Sequence, residues 1–367
     1  MKKKIFITST SNLITDQRVA KMVEYLLTKE LDVTVLARKF PREKRSVKST
    51  EYNSRILKMI FKKGLFFYAE FNLKIFFYLL FKKADYYMAI DLDTLLACKT
   101  ASLFKRVPII FDSHEYFPEV PEVVNRPLVK KIWTIIENLI VPSVWAAITV
   151  SEGVAGIYKK IYGKEFILVR NIPSANNDSV HEVRDVSESP IVYYQGALNI
   201  GRGLEESIKA MKYLPNYIFN IVGGGDIENE LKELTKKLNL EDRVNFIGVI
   251  PYNELENYAS KADIGLCLLR NLGLNYYHSL PNRLFDYPKM GLPILATAFP
   301  DIKSFIDEYK TGVYINGLNP KLIAEKIKYI CENRDIRKEM SVNLRKVATE
   351  LSWEREIEKI DFLFDDR

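Results

Sequence analysis

Apolar positions along the chain recur with two periods. Short apolar runs at Lys4–Thr8, Asp32–Ala37, Tyr86–Ile90, Val107–Phe111, Ala146–Val150 and Phe166–Val169 have the length of buried strands. Between the first two, Val19, Met22, Val23, Leu26 and Leu27 fall at i, i+3, i+4, i+7 and i+8, which predicts a helix over Asp16–Leu27. A second series begins at Ile191–Tyr194 and continues through Tyr217–Val222, Val244–Ile247, Ile264–Leu269, Ile294–Ala296 and Gly312–Ile315, followed by two helical segments. Strands that alternate with helical patterns form parallel sheets covered on both faces. The polar stretch Asn171–Pro190 between the two series reads as a linker. The expected fold class is α/β, with two Rossmann-like, doubly wound domains facing a central cleft. They span residues 1–170 and 191–350, and residues 351–367 form a last helix. Ligands of such sheets bind at the carboxyl ends of the strands.

Of the 367 residues, 47% are hydrophobic and 28% charged, which excludes a disordered chain, a fibrous repeat and a polytopic membrane protein. Three cysteines (Cys98, Cys267, Cys331), odd in number and far apart, cannot build a disulfide framework and suit a reducing compartment. With three histidines and no CxxC spacing, no zinc site is expected. The basic start meets polar residues after only three apolar ones, too few for a signal peptide, so the expected location is the cytoplasm.

Charge divides unevenly. Residues 1–170 carry 29 basic and 17 acidic side chains, a balance of +12, whereas residues 171–367 balance at −5. Either the basic half faces something anionic, such as phosphate groups, lipid headgroups or nucleic acid, or its lysines lie on an ordinary solvated surface. No basic recognition helix or aromatic RNA-binding motif supports nucleic acid. The stretch Arg55–Lys83 stands out. Its longest unbroken apolar run, Ile75–Phe81, falls far short of the ~20 residues that span a bilayer. Read as a helix, the stretch places Arg55, Lys58 and Lys62 on one face, beside Phe66, Phe67, Phe71, Phe76 and Phe77. That pattern suits a helix lying on the cytoplasmic face of a membrane, and equally one packed against a sheet.

Four polar constellations follow strands. Ile191–Tyr194 runs into Gly196, Gly201 and Gly203, with Arg202 at the mouth of the next helix, where a guanidinium and a helix N-terminus could hold a phosphate. Tyr217–Val222 ends in Gly223-Gly224-Gly225-Asp226, whose glycines either let the backbone approach a ligand or simply make a turn. Neither GxGxxG nor a Walker lysine is present. Ser279-Leu280-Pro281-Asn282 precedes a helix with Arg283 and Asp286, offering N–H groups to a diphosphate and a carboxylate to ribose hydroxyls. Val107–Phe111 leads into Asp112-Ser113-His114-Glu115, where a histidine flanked by acids could hold a substrate hydroxyl or tune a proton.

In this order, and over nearly the whole chain, these motifs resemble the retaining GT-B glycosyltransferases of family 4. Asp16-Gln17-Arg18-Val19 is similar to that family's D-x-R-V motif, and Ala89–Ala97 (AIDLDTLLA) and Phe111–Glu119 (FDSHEYFPE) resemble its strand-end motifs. YYQGALNIGRGLEESIKAM, YIFNIVGGGD, VNFIGVIPYNELENYASKADIGLCLL and SLPNRLFDYPKMGLPILAT follow its second half. LSWEREIEKI resembles its terminal helix, which crosses back to the N-terminal domain.

The resemblance implies a transferase that moves a sugar from a UDP- or GDP-linked donor to a hydroxyl of a saccharide or lipid-linked saccharide, in the building of capsule, O-antigen or a similar surface polysaccharide. By the same resemblance Arg202 would bind the donor diphosphate, flanked by the turns at Gly196, Gly223 and Gly224. Gly248 and Ile250 would hold the base through their backbone, and Leu280, Pro281 and Asn282 would reach the diphosphate and sugar. Asp286 matches the second acid of an E-x7-E signature and would bind the ribose, while His114 would contact the donor sugar and assist the reaction. Asn12, Asp16, Arg18 and Glu115 are the acceptor-side candidates.

Three departures bear on these roles. His278 stands at the first acid of E-x7-E and joins the donor-site candidates in its place. Ala197 stands where many relatives carry arginine, and Arg283 could supply the missing charge, which makes it a catalytic candidate beside His114 and Arg202. The loop Ser9–Thr15 lacks the glycine pair common in relatives. With no second carboxylate placed as a covalent nucleophile, the expected route is front-face displacement with arginines on the leaving diphosphate, and neither cofactor nor metal is expected. Two rival readings keep the fold: a nucleotide-sugar 2-epimerase, and a non-catalytic nucleotide-sugar-binding protein, for which His278 argues.

Overall fold

The computed structural model describes residues 2–13, 16–39, 52–175, 186, 188–251 and 254–365. Their contacts divide the chain into two compact units, Met1–Asn171 with Ile357–Arg367, and Ile172–Glu356. Each is built on a wholly parallel, doubly wound sheet of the kind the strand–helix alternation predicts.

The first unit holds seven strands: β1 (Lys4–Ser9), β2 (Asp32–Arg38), β3 (Asn53–Leu57), β4 (Tyr86–Ile90), β5 (Ile109–Ser113), β6 (Ala146–Thr149) and β7 (Ile167–Leu168). Their spatial order is β3-β2-β1-β4-β5-β6-β7. Asp16 starts the helix Gln17–Thr28 by accepting the Val19 N–H at 3.0 Å, and the helix buries Val19, Met22, Val23 and Leu26 as its period requires. Helices Gly64–Leu80, Leu92–Lys105, Pro127–Ile140 and Glu152–Tyr162 share a core with Phe111, into which they bury Phe71, Ile75, Leu95, Trp133 and Tyr158. Each such side chain contributes roughly 1.5–3 kcal/mol.

Two local expectations are corrected. β3 is an additional edge strand, paired to β2 from Thr34↔Asn53 to Arg38↔Leu57, and its half-exposed residues make no apolar run. Arg55 therefore lies in a strand, and Lys58 and Lys62 lie in the connection before the helix that opens at Gly64, so the three do not share a helix face. β5 starts and ends two residues beyond the expected Val107–Phe111. Asp112 can continue a buried strand because its charge is neutralised inside the unit by Arg18.

The chain re-enters this unit at Ile357, the last residue of the short helix Trp353–Ile357, and continues in a 3-10 turn, Glu358–Leu363, where one helix was expected. Ile357, Ile360 and Leu363 are buried and three apart, a spacing that a three-residue turn places on one side. The Tyr25 hydroxyl donates to Asp361 at 2.6 Å, and Phe364 packs edge-on against Tyr25 and Tyr86.

The second unit holds β8 (Ile191–Gln195), β9 (Ile218–Val222), β10 (Val244–Gly248), β11 (Ile264–Cys267), β12 (Ile294–Thr297) and β13 (Gly312–Ile315), in the order β10-β9-β8-β11-β12-β13. Winding reverses between β1 and β4 in the first sheet and between β8 and β11 in the second, which is where sheets of this kind leave a crevice for ligands. Among the described residues no helix is long and apolar enough to cross a membrane.

Candidate functional site

In the second unit, the loops after β8, β9 and β10 touch through their backbones. The Gly223 N–H donates to the Gly248 carbonyl at 2.9 Å. A Cβ on Gly223, which has φ +135°, would lie 1.9 Å from the Gly196 carbonyl oxygen, so only glycine fits. Gly224 faces the Val249 side chain, and Ile250 is half-buried against the Tyr193 side of the core. Arg202 sits between Gly201 and Gly203, in the turn that opens helix Leu204–Ala210. Its guanidinium lies 5.0 Å over the Tyr276 ring, and its buried Nε has no hydrogen-bond partner.

Arg283 comes from the other side of the switch point, on helix Arg283–Lys289. It is buried, stacks 4.4 Å from the Tyr194 ring and donates to the Gln195 carbonyl at 3.4 Å. A side chain at Gly196 would begin 4.0 Å from its Nη1. Burial pushes the Cys267 thiol up, while Arg283 and then Arg202 pull it down. Gln195 Nε2 donates to Asp286 at 2.9 Å, yet Gln195 Oε1 and the Tyr193 hydroxyl, both buried, have no partner. Buried polar atoms are nearly always paired, so Gln195 Oε1, on the last residue of β8, is an acceptor open to a polar ligand. Leu280 and Pro281 are half-buried and Asn282 is exposed just before the helix that carries Arg283 and Asp286. His278 does not stand alone at its position: its Nδ1 is 3.1 Å from Asp301, in the first turn of helix Pro300–Tyr309.

The first unit gathers its polar residues at the ends of β4 and β5. Arg18, with 3% of its surface exposed, holds Asp112 through Nη2 at 2.7 Å and Nε at 3.2 Å, and the Val169 carbonyl through Nη1 at 2.8 Å. His114 Nε2 donates to the same carboxylate at 3.0 Å. Burial opposes ionisation of Asp112, but the Arg18 guanidinium and the His114 imidazole hold it well below the usual carboxylate range. For His114 burial lowers the pKa and the Asp112 and Asp91 carboxylates raise it further than that, so the net direction is up. The Asp91 carboxylate accepts the His114 N–H at 2.8 Å, but it lies 3.9 Å from ring Nδ1, too far for a hydrogen bond. With Nε2 committed to Asp112, Nδ1 is the ring atom His114 can offer a ligand. Asp91 itself has φ +57°, an uncommon backbone for a non-glycine residue. Next to it, Asp93 is buried, takes the Thr10 hydroxyl at 2.5 Å and is raised to about 7 by burial and then by Asp91.

The acceptor-side candidates separate. Arg18 is locked into the Asp112 cluster and Asp16 caps its helix, whereas Asn12 is half-buried and Glu115 exposed. Asp91 and Asp93 of the AIDLDTLLA motif, Gln195 of the YYQG turn, and Asp301 join the site residues, although the sequence assigned none of the four a role. A polar residue closing a buried strand was the available signal for Gln195, and the left-handed backbone of Asp91 has none. Among the described residues no three or more His, Cys, Asp or Glu side chains are grouped as a metal site.

Residues 177–347 match the family described as glycosyl transferases group 1. Amylovoran biosynthesis glycosyltransferase AmsK of Erwinia amylovora is 26% identical over 136 residues, covering 36% of this chain and 33% of that protein. The chain therefore matches about a third of that relative's length. Two solved structures match nearly the whole chain in fold. Sucrose-phosphate synthase from Thermosynechococcus elongatus superposes with a TM-score of 0.79 at 17% identity, covering 99% of this chain and 98% of that one. HepE of Anabaena, in complex with UDP and glucose, gives 0.78 at 14% identity over 100% of both chains. At these identities the likeness establishes the fold, which is that of the GT-B glycosyltransferases.

Proposed function

We propose that the chain is a retaining glycosyltransferase that moves a sugar from a UDP- or GDP-linked donor to a hydroxyl of a saccharide or lipid-linked saccharide, in surface polysaccharide biosynthesis. The observation that carries this reading is the pair of arginines that follow β8 and open helix Arg283–Lys289, each held on an aromatic ring, within a segment that matches the glycosyl transferases group 1 family. AmsK acts in amylovoran biosynthesis by its name, and HepE was solved with UDP and glucose, which support the polysaccharide role and the nucleotide donor.

In the proposed reaction the bond from the anomeric carbon to the donor diphosphate breaks as the bond to the acceptor oxygen forms on the same face. The acceptor proton passes to the departing phosphate oxygen. Arg202 and Arg283 take up the charge that grows on the diphosphate, and being held already by aromatic rings and burial, they need little reorganisation to do so. Asp286, fixed by Gln195, would hold the ribose, and His114 Nδ1 a hydroxyl of the donor sugar. The basic, aromatic segment Arg55–Lys83 would bring the N-terminal unit to the cytoplasmic face of an anionic membrane, where a lipid-diphosphate-linked acceptor is found.

Thermal unfolding with UDP, GDP, ADP, CMP and their sugar conjugates tests the donor site. A ligand at 100 times its dissociation constant should stabilise by ~2.7 kcal/mol. Selective stabilisation by one diphosphate, lost in Arg202→Ala and Asp286→Ala, is expected. No shift with any nucleotide refutes the reading.

A further inference from the structure

We propose that Glu137, which has no part in the donor site, is a positioning residue for His114: its proton decides, through the Tyr158 and Ser113 hydroxyls, whether the loop around His114 is closed. This deepens the proposed reaction and rests on it for what His114 does there. Every group involved belongs to the N-terminal unit.

The Ser113 hydroxyl donates to the Glu115 carbonyl at 2.9 Å and so closes the chain around His114. Asp91 takes the His114 amide, and Asp112 takes ring Nε2. Ser113 Oγ also lies 3.0 Å from the Tyr158 hydroxyl, on helix Glu152–Tyr162, which donates to Glu137 Oε1 of helix Pro127–Ile140 at 3.2 Å. Neither partner is free to move aside. The Ser113 carbonyl accepts the Thr149 hydroxyl at 2.9 Å, and the Tyr158 ring stacks on Phe166 at 4.2 Å. Glu137 and Tyr158 are wholly buried and Ser113 is 1% exposed, so water does not complete the chain.

Proton counting gives the consequence. From Glu137 through Tyr158 and Ser113 to the Glu115 carbonyl run three hydrogen bonds, and each needs one hydrogen. With Glu137 ionised, the two hydroxyls bring only two. Tyr158 gives its hydrogen to the carboxylate, and Ser113 must choose between the Tyr158 oxygen and the Glu115 carbonyl. Choosing the phenol opens the loop at Glu115. Choosing the carbonyl leaves two oxygens facing each other at 3.0 Å with no hydrogen between them. A protonated Glu137 supplies the third: Glu137 donates to Tyr158, Tyr158 to Ser113 and Ser113 to Glu115, while Oε2 still accepts the Tyr162 hydroxyl at 2.8 Å. All three bonds are then made and the loop is closed.

That proton comes and goes near neutrality. Burial raises Glu137 to about 7, against the Tyr162 and Tyr158 hydroxyls, which lower it. Tyr158 keeps its hydrogen throughout, because burial and then Glu137 hold its phenol well above the usual range. Tyr116 is raised in the same way by burial and then by Glu137 and Glu119. Glu119 is paired with Lys130 of the Glu137 helix, and Asp91, which also bears on Tyr158, accepts the His114 amide.

The Tyr116 N–H shares its peptide group with the Glu115 carbonyl, so its amide signal reports the closing bond. The full chain, labelled with nitrogen-15 tyrosine and assigned with Tyr116→Phe, is titrated by nuclear magnetic resonance between pH ~6 and ~8. We expect a pH-dependent shift of that signal, part of which is lost in Glu137→Gln, whose amide donates to Tyr158 at every pH. Tyr158→Phe should lose the same part, since Ser113 then has only Glu115 to donate to, and the double variant should lose no more. His114 and Asp93 titrate in all these proteins and drop out of the comparison. Should Glu137→Gln not fold, Ser113→Ala stands beside Tyr158→Phe in its place. A Tyr158→Phe protein that keeps the part lost in Glu137→Gln would show a charge acting through space, and an undiminished shift in the folded variants would show no coupling; either overturns the proposal. Neither nucleotide nor turnover enters this measurement, so its failure is separate from failure of the donor reading, which the nucleotide melts decide.

Discussion

Replacing Arg18 with methionine removes a buried cation while keeping most of the length of its side chain. Arg18 gives two N–H bonds to Asp112 and one to the Val169 carbonyl, and the variant strands a carboxylate of zero exposure beside His114. Breaking a buried pair from one side costs ~3–5 kcal/mol, a large share of the roughly 5–15 kcal/mol that hold a protein folded. At about 2–4 °C per kcal/mol for a unit of this size, the melting temperature should fall by roughly 6–20 °C. Arg18→Met/Asp112→Asn removes the stranded charge, so part of the loss should return, and the double-mutant cycle should show a coupling of at least ~1 kcal/mol.

The acid limb carries a second signature of the same cluster. Asp112 titrates lower in the folded unit than in the unfolded chain, so its contribution is present above pH ~4 and is lost as pH falls further. Arg18→Met should flatten that limb. His114 is shifted the other way, so its contribution is complete below pH ~6.5 and is lost as pH rises through the folded value. Thermal melts of the wild type, both single variants and the double variant between pH 2.5 and 9 supply all of these quantities. A cost below ~1 kcal/mol, or single effects that simply add, would refute the reasoning.

Asp93 is raised to about 7 and is protonated in the folded unit where the unfolded chain has lost its proton, so wild-type stability should decline between pH ~4 and 7. Asp93→Asn should remove that decline and raise the melting temperature at pH 8 more than at pH 5, and an equal change at both would contradict the assignment. Gly223→Ala must displace the Gly196 backbone and should cost at least ~2 kcal/mol. Gly248→Ala meets open space and only a left-handed backbone, costing about 1–2 kcal/mol, so denaturant midpoints should separate the two. If Asp301 positions His278 at the donor, Asp301→Ala and His278→Ala should raise the donor KM by similar factors, and the double variant should be no worse than either. Additive effects would show that they act separately.

How much could be seen in the chain itself depends on how local the cause is. Parallel strands of apolar residues announce themselves, and twelve of the thirteen overlap their expected runs, because most are buried on both faces, which forces a continuous apolar signature. β3 escaped because an edge strand has one paired side and half-exposed side chains, which leaves Asn53–Leu57 looking like loop. The same misreading turned Arg55, Lys58 and Lys62 into a helix face. Turn glycines were legible, since Gly201, Gly203 and Gly223 do adopt positive φ. Contacts that join distant segments were not. Nothing near Arg18 in the chain points to Asp112, 94 residues away, and nothing near His278 points to Asp301.

Those two kinds of information meet at the positions where the chain departs from the pattern it resembles. Ala197 follows Gly196 where the resembled pattern would have an arginine, yet Arg283 places a guanidinium 4.0 Å from where a Gly196 side chain would begin. A cation supplied from a helix and stacked on Tyr194 differs physically from one on a loop. Burial and the aromatic face have already taken its rotamer freedom, so binding an anion orders little more of it. His278 likewise replaces an acid with a base, but it comes paired with the carboxylate of Asp301. In each case the chemical group missing from the linear motif stands within a few ångströms of its place, delivered by another element of the same unit. A motif read position by position counts two losses, whereas the folded unit brings a cation beside the first place and a carboxylate beside the second.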